Sequence, residues 1–360
     1  MRVRTFIFYF LFPFIAWPSS LLAQTRFYFP DTTTASVSPA FTTSWTETSQ
    51  ADFRRMVTSR VNSPMTNKTI TALPSSVPEY ILSRQYISDP IAGGSIAGTV
   101  KGQFRCSEFP ASLDATLAVL IKVVSHNGDT LRGTLLALSA SDEKSSPPEF
   151  SISLENRRLM DVTENTSLTL TPVVAQPQDR IVVELGVREA SNIITRTASI
   201  NFGDNSSTDL GENENENAAN NPWIEFSPAI VPATLSVAVS NSSFAFGTQL
   251  LNTWLPPDSS RLTNDGNVTE TLRGKISTFT AGANTWTLSS TANGADQIRA
   301  QWSTTSASGP WNDISAYNTD FTIVTGLVPS SSVTFYFRIQ TPTSTSSFNP
   351  YSSTLTVTAQ

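Results

Sequence analysis

One histidine and one cysteine limit what this 360-residue chain can do with nitrogen and sulfur. Hydrolysis of the Ser-His-Asp kind needs an imidazole held by a third group. His126 stands directly before Asn127-Gly128, the centre of an expected hairpin turn, and reads as an exposed turn residue. A lone His and a lone Cys cannot assemble a zinc or copper shell. Carboxylates are more numerous. Glycoside cleavage needs two of them flanking the scissile bond, and any strands of a sheet protein can supply such a pair. None stands out here: Glu184 in an alternating stretch and Glu225 beside Trp223 both read as outward-facing polar residues. A glycan-active hydrolase is one reading, without assignable acids.

The densest set of oxygen ligands is Asp204, Asp209, Glu212, Glu214 and Glu216, interleaved with Asn in the stretch Gly203–Asn221. Calcium takes six to eight oxygens at loose geometry. Asp204, Asp209 and Glu212 are therefore candidate ligands of a structural calcium ion, although the spacing is not that of an EF-hand and the same composition suits a solvated loop. Planar rings are the other binding candidates, because they stack on sugar faces. Trp45, Trp254, Trp311 and Tyr317 lie in polar, loop-like stretches, where they either meet a ligand or pack under a loop edge. Trp223, Trp286 and Trp302 read as core.

The elements that would position these groups are strands. Val333 to Ile339 alternates apolar and polar residues at period two, as do Thr354 to Ala359 and the row Ile181, Val183, Leu185, Val187, the mark of a strand with one buried face. Leu117 to Val124 is apolar almost throughout, as expected of a strand covered on both sides. Asn127-Gly128, Asp265-Gly266 and Asn293-Gly294 carry the hairpin-turn signal, since a type I′ turn needs positive φ at both central residues. Thr48 to Arg60, with Phe53, Met56 and Val57, is the best candidate for a short helix. Cys106, inside the strand-like run Thr99 to Ser107, reads as a buried, inert thiol.

The chain opens with Arg2 and Arg4, an apolar run from Phe6 to Trp17, and Ser19 to Ala23. That order reads as a signal peptide cleaved after residue 24, and the run is too short and too rich in proline to span a membrane. About 336 residues remain, room for two ordinary domains. Charged residues are 14% of the chain, well below the roughly 25% of typical soluble domains. Subtracting the two leader arginines takes the net charge from −6 to −8, which argues against nucleic acid or anionic lipid as a partner. Glycans or other surface proteins fit better. Ser227–Pro232 reads as a linker, giving domains over residues 25–230 and 231–360.

Two resemblances refine this. Gly326-Leu327-Val328-Pro329 leading into Val333–Ile339, with Trp286 and Trp302 upstream, resembles the closing half of a fibronectin type III or related immunoglobulin-like module. Thr25–Pro30, Val37–Phe41 with Trp45, Asp179–Gly186, Asn201–Asp204 and Asn221–Phe226 resemble an uncharacterised group of exported or virion-like β-sandwich proteins, and in general shape the jelly-roll sandwiches of carbohydrate-binding modules. Both imply a fold and no activity. The expectation is an all-β protein of two β-sandwich domains, jelly-roll-like then fibronectin-like. It would be secreted, and would act without catalysis as a structural or adhesive component of a cell surface or extracellular matrix. A carbohydrate-binding protein is the alternative.

Overall fold

The computed structural model describes residues 24–71, 79–138, 145–146, 149–160, 166–189, 197–212 and 220–360. The expected signal peptide lies outside the described residues except for Gln24. Strands form nearly all of the regular structure; one 3-10 turn, Ala111–Leu113, is the exception among the described residues. No helix there is long and apolar enough to cross a membrane.

In the first part of the chain the strands are β1 (Thr25–Tyr28), β2 (Asp52–Arg55), β3 (Ser63–Ile70), β4 (Glu79–Ile87), β5 (Gly94–Phe109), β6 (Ala115–Val124) and β7 (Leu131–Leu136). They continue with β8 (Ser145–Ser146), β9 (Glu155–Leu159), β10 (Leu168–Ala175), β11 (Arg180–Glu189), β12 (Thr197–Asp204) and β13 (Trp223–Phe226). One sheet runs β1-β13-β5-β12-β3, and the 16-residue β5 also pairs with β9 and β10. The other runs β2-β4-β11-β6-β7. One core cluster draws on both: Val100, Phe104, Ile200 and Phe226 from the first sheet, Leu117, Val119, Ile181 and Leu185 from the second. Cys106 belongs to it, and burial pushes its thiol well above the usual range.

All ten residues of β6 are buried, as the unbroken apolar run predicted. Alternate residues point to opposite faces of a strand, so the second sheet needs a cover on its outer side. The segment from Asp31 to Gln50 supplies one. Trp45 clusters there with Tyr80, Leu82, Ala118 and Leu120, and Ala35 and Val37 pack on Ile87, Val124 and Val182. Main-chain bonds fasten it: Thr46 N to Tyr80 O at 2.9 Å and Leu82 N to Glu47 O at 2.9 Å. Each large apolar side chain buried this way contributes about 1.5–3 kcal/mol.

This strap also explains why the expected helix over Thr48–Arg60 is absent. Residues 52–55 instead form β2, paired in parallel with β4. Asp52 accepts two hydrogen bonds from Arg84, at 2.6 and 3.0 Å, and Phe53 stacks on Phe41 at 4.7 Å. Tertiary pairing here overrides a weak helical spacing.

The remaining strands are β14 (Val237–Val239), β15 (Asp258–Asn264), β16 (Glu270–Ile276), β17 (Phe279–Ala281), β18 (Asn284–Leu288), β19 (Gln297–Ser303), β20 (Asn312–Asp313), β21 (Phe321–Leu327), β22 (Ser332–Gln340) and β23 (Leu355–Ala359). One sheet runs β14-β15-β22-β19-β18-β17 with β20 on β19; the other is β21-β16-β23. Leu262, Ile298, Phe335 and Phe337 of the first meet Leu272, Ile276, Ile323 and Leu327 of the second in a separate core cluster. β22 and β23 carry the alternation expected of them but lie in different sheets.

The turn signals fare unevenly. Asn127-Gly128 does join the antiparallel pair β6 and β7, but only Gly128 has positive φ, at 84°. The connection is a longer loop, closed by Ser125 N to Thr130 O at 2.8 Å. Asp265-Gly266 joins strands of different sheets, and Asn293-Gly294 joins β18 to β19, which pair in parallel. Neither is a hairpin. Ser227–Pro232, expected as a linker, forms no strand; Ile230 is buried in the first core and Ala92 N bonds Val231 O at 2.7 Å.

Candidate functional site

The acids proposed as calcium ligands do not converge. β1 brings Arg26 against Asp209 at 2.7 Å, Arg60 reaches Asp209 at 2.6 Å, and the Tyr28 hydroxyl donates to it at 3.1 Å. Lys101 on β5 pairs with Glu212 at 2.7 Å. Asp204 is buried and accepts the Ser206 N–H at 2.6 Å. Among the described residues no three His, Cys, Asp or Glu side chains gather as a metal site; Glu214 and Glu216 lie outside the described residues. Basic side chains more than a hundred residues away pair with Asp209 and Glu212 instead.

Arg26 also grips Glu225 at 3.0 and 2.7 Å and lies 3.9 Å over the Trp223 ring. Burial works against its charge, but the hydrogen bonds of Glu225 and Asp209 outweigh that and raise its pKa. Glu225 is therefore buried and clamped, and does not face outward freely as the sequence suggested.

Glu184 departs further from expectation. It is fully buried under the strap. Trp45 Nε1 donates to it at 2.6 Å, Gln85 Nε2 at 2.9 Å and Lys122 Nζ at 2.6 Å. Lys122 spends its other two protons on Ala40 O at 2.8 Å and Thr42 Oγ1 at 2.9 Å. Trp45 is thus a buried anchor of the strap, and its ring is not an exposed stacking surface. A polar residue on an alternating strand reads as outward; nothing local announces that another segment covers that face.

The remaining aromatic candidates separate. Tyr317 donates its hydroxyl to Trp286 O at 3.0 Å, packs near Phe279, and has its phenol pushed up to about 12 by burial. It is a packing residue. Trp254 and Trp311 are brought together by a residue the sequence reading missed, Arg338. Its guanidinium lies 4.2 Å from the first ring and 4.1 Å from the second. Gln301 Oε1 fixes it by accepting bonds of 2.9 and 2.6 Å. Burial, with Arg299 beside it, lowers the Arg338 pKa. One face of each indole is thereby occupied. The signal was the alternation of β22, which puts Arg338 opposite Phe337 and Ile339.

A large concavity lies elsewhere in the same half. A cleft of about 980 Å³ is lined by residues of β14, β15, β17, β18 and β22 from one sheet, of β16 and β23 from the other, and of the connecting stretches 241–251 and 341–354. Phe335, Phe337 and Ile339 line it from β22, Leu355 and Val357 from β23. Trp286 stacks on Tyr351 at 3.9 Å to form a wall, and its Nε1 donates to Thr345 Oγ1 at 3.1 Å. Phe244 and Phe246 lean over Phe337. Asn241, Ser243, Ser347 and Asn349 supply polar lining. No Lys, Arg, His, Asp or Glu is among the residues lining it. Trp286, expected in the core, is a half-buried wall. The Ser/Thr/Asn-rich stretches over 240–249 and 345–354, each holding isolated aromatics, were the available signal.

The sequence matches no protein-family model and no curated protein.

Proposed function

We propose that this is an exported, non-catalytic adhesive or structural protein that holds an uncharged partner in the aromatic-walled cleft lined by β14 to β18, β22 and β23. The observation that carries the reading is the cleft itself: large, aromatic-walled and free of charged lining. Binding sites of this kind are concave and mostly apolar, with a few placed polar groups. Two β-sandwich units fit the arrangement, since each large core cluster takes residues from two sheets. The expected signal peptide and the low charge of the chain agree with work outside the cytoplasm. The ion pairs that clamp Glu184 and Glu225 favour holding over hydrolysis. A carbohydrate-binding role is the second reading, favoured by the stacked Trp286–Tyr351 wall beside hydroxyl and amide groups.

The test uses the chain from Thr25 onward against immobilised neutral polysaccharides and uncharged peptides. Binding that falls at least tenfold on Trp286→Ala with Tyr351→Ala, in a variant that keeps its fold, supports the reading. Retention of nothing, or equal retention by the variant, overturns it.

A further inference from the structure

The cleft reaches into the second core. Leu255, Leu262, Ile276, Phe335, Phe337 and Ile339 line it, and all six are buried members of the cluster in which the two sheets meet. Its mouth is built differently. There Asn241, Ser243, Ser347 and Asn349 supply uncharged polar groups, each exposed or half-buried. The lining is thus sorted by depth, hydrocarbon within and neutral donors and acceptors outside.

The buried polar groups of the lining are already engaged. Ser260 Oγ accepts the Asn241 N–H at 3.1 Å, and Thr341 Oγ1 accepts the Thr253 N–H at 2.9 Å and donates to Leu250 O at 2.7 Å. Trp286 gives its N–H to Thr345 and one ring face to Tyr351. A sugar ring or a peptide backbone drawn into this interior would lose its hydrogen bonds to water and find none in exchange. An alkyl chain gives up no such bonds, and apolar cavities take apolar molecules for that reason.

The strand sets the length. Phe335, Phe337 and Ile339 stand in one row of β22, which runs about 13 Å from first to last at about 3.3 Å per residue. An extended zigzag chain of about ten carbons, with bonds of about 1.5 Å, has nearly the same length. At the entrance Phe348 is 87% exposed, an apolar ring standing in solvent where such a chain would pass.

Resting on the reading of the cleft as a binding site, we propose that its occupant is a neutral single-chain amphiphile. The alkyl chain lies between the sheets along β22, and an uncharged, hydroxylated head stays at the mouth with Asn241, Ser243, Ser347 and Asn349. A charged head would find no countercharge in the lining.

Calorimetric titration of the chain from Thr25 onward with n-alkyl glucosides tests this, over chains of about four to fourteen carbons and below their micelle concentrations, with glucose as the bare head. Affinity is expected to rise about fourfold per methylene up to about ten carbons and then to level off, and glucose alone should not bind. Val357→Trp fills the cleft from half-buried Val357 on β23 and should weaken decyl glucoside at least tenfold. Affinity independent of chain length, or a folded Val357→Trp variant that binds as well, overturns the proposal; should that variant not fold, the chain-length profile of the parent decides. Retention of alkyl glucosides by a chain that retains no polysaccharide or peptide upholds the inference and narrows the binding role to small amphiphiles. If polysaccharides or peptides bind and no alkyl glucoside does, the inference fails and the binding role stands; if none of the three binds, both fail.

Discussion

Replacing Lys122 with Met tests whether the strap is locked by a buried charge pair. The methionine fills most of the lysine's volume, so the change isolates the ammonium. What remains is Glu184, fully buried, with its bonds from Trp45 Nε1, Gln85 Nε2 and Thr42 N but no countercharge. Breaking one partner of a buried pair costs about 3–5 kcal/mol. The loss of the bonds to Ala40 O and Thr42 Oγ1 acts in the same direction, since each hydrogen bond contributes about 1 kcal/mol net. Against a typical total stability of about 5–15 kcal/mol this is large. Urea unfolding gives the global loss. Amide exchange at Thr46 and Leu82, which bond across the strap, shows whether the strap opens first. A loss below about 1 kcal/mol, or strap amides exchanging as slowly as in the parent, would refute the view that the pair fastens this segment.

Burial holds the Glu108 carboxyl up at about 7, opposed by the Ala115 N–H at 2.7 Å and aided by Glu149 and Asp114. A folded pKa above the unfolded value of about 4.3 means that the native state keeps the proton longer, so stability falls as pH rises from about 4 to 7 and is level above. Glu108→Gln should therefore match the parent near pH 4 and exceed it by about 2 kcal/mol at pH 8, after allowance for solvent screening; parallel urea curves at the two pH values decide this. Gly186→Ala places a methyl against the Ile81 carbonyl and 2.7 Å from the Trp45 ring, and a loss of about 2–3 kcal/mol by the same assay is expected from overpacking. Arg338→Met should cost about 1–2 kcal/mol by removing two cation–π contacts, with a change in indole fluorescence as Trp254 and Trp311 lose their shared guanidinium. Because Arg26, Arg60 and Lys101 already neutralise Asp209 and Glu212, a chelator should leave the melting midpoint unmoved; a fall of several degrees would restore the calcium reading.

Strands were legible wherever one face alternates. Val333–Ile339 and the row from Ile181 to Val187 could be read from single side chains, because period-two patterning records which face meets the core. Cys106 could be placed for the same reason. Periodicity does not say what covers the other face. Ala35, Val37, Phe41 and Trp45 stand at even spacings but are thinly scattered among Ser, Thr and Pro, too sparse to read as a covering segment, so the strap was not legible, and with it the burial of Glu184. The Trp254–Arg338–Trp311 stack was half legible: the rings stood out by type, while the arginine that joins them comes from β22. The ion pairs of the acidic run were illegible for a similar reason, since its oxygens are adjacent in sequence and their cations come from β1, β5 and the loop before β3. The cleft was legible only as the two Ser/Thr/Asn-rich stretches with isolated aromatics that line it; that they converge on β22 and β23 depends on the pairing of distant strands.

The pairing of β1 with β13 sets Thr25 opposite Phe226, just over two hundred residues later. Tyr28 can meet Val57 early, through two main-chain hydrogen bonds, but the ladder along the rest of this strand must wait until almost two-thirds of the polypeptide has followed. Until then Phe27 and Phe29 have no finished interior to enter. Such late closure makes folding slow by the cost of bringing distant ends together, and it makes the earliest-made segment the one most in need of protection from other chains.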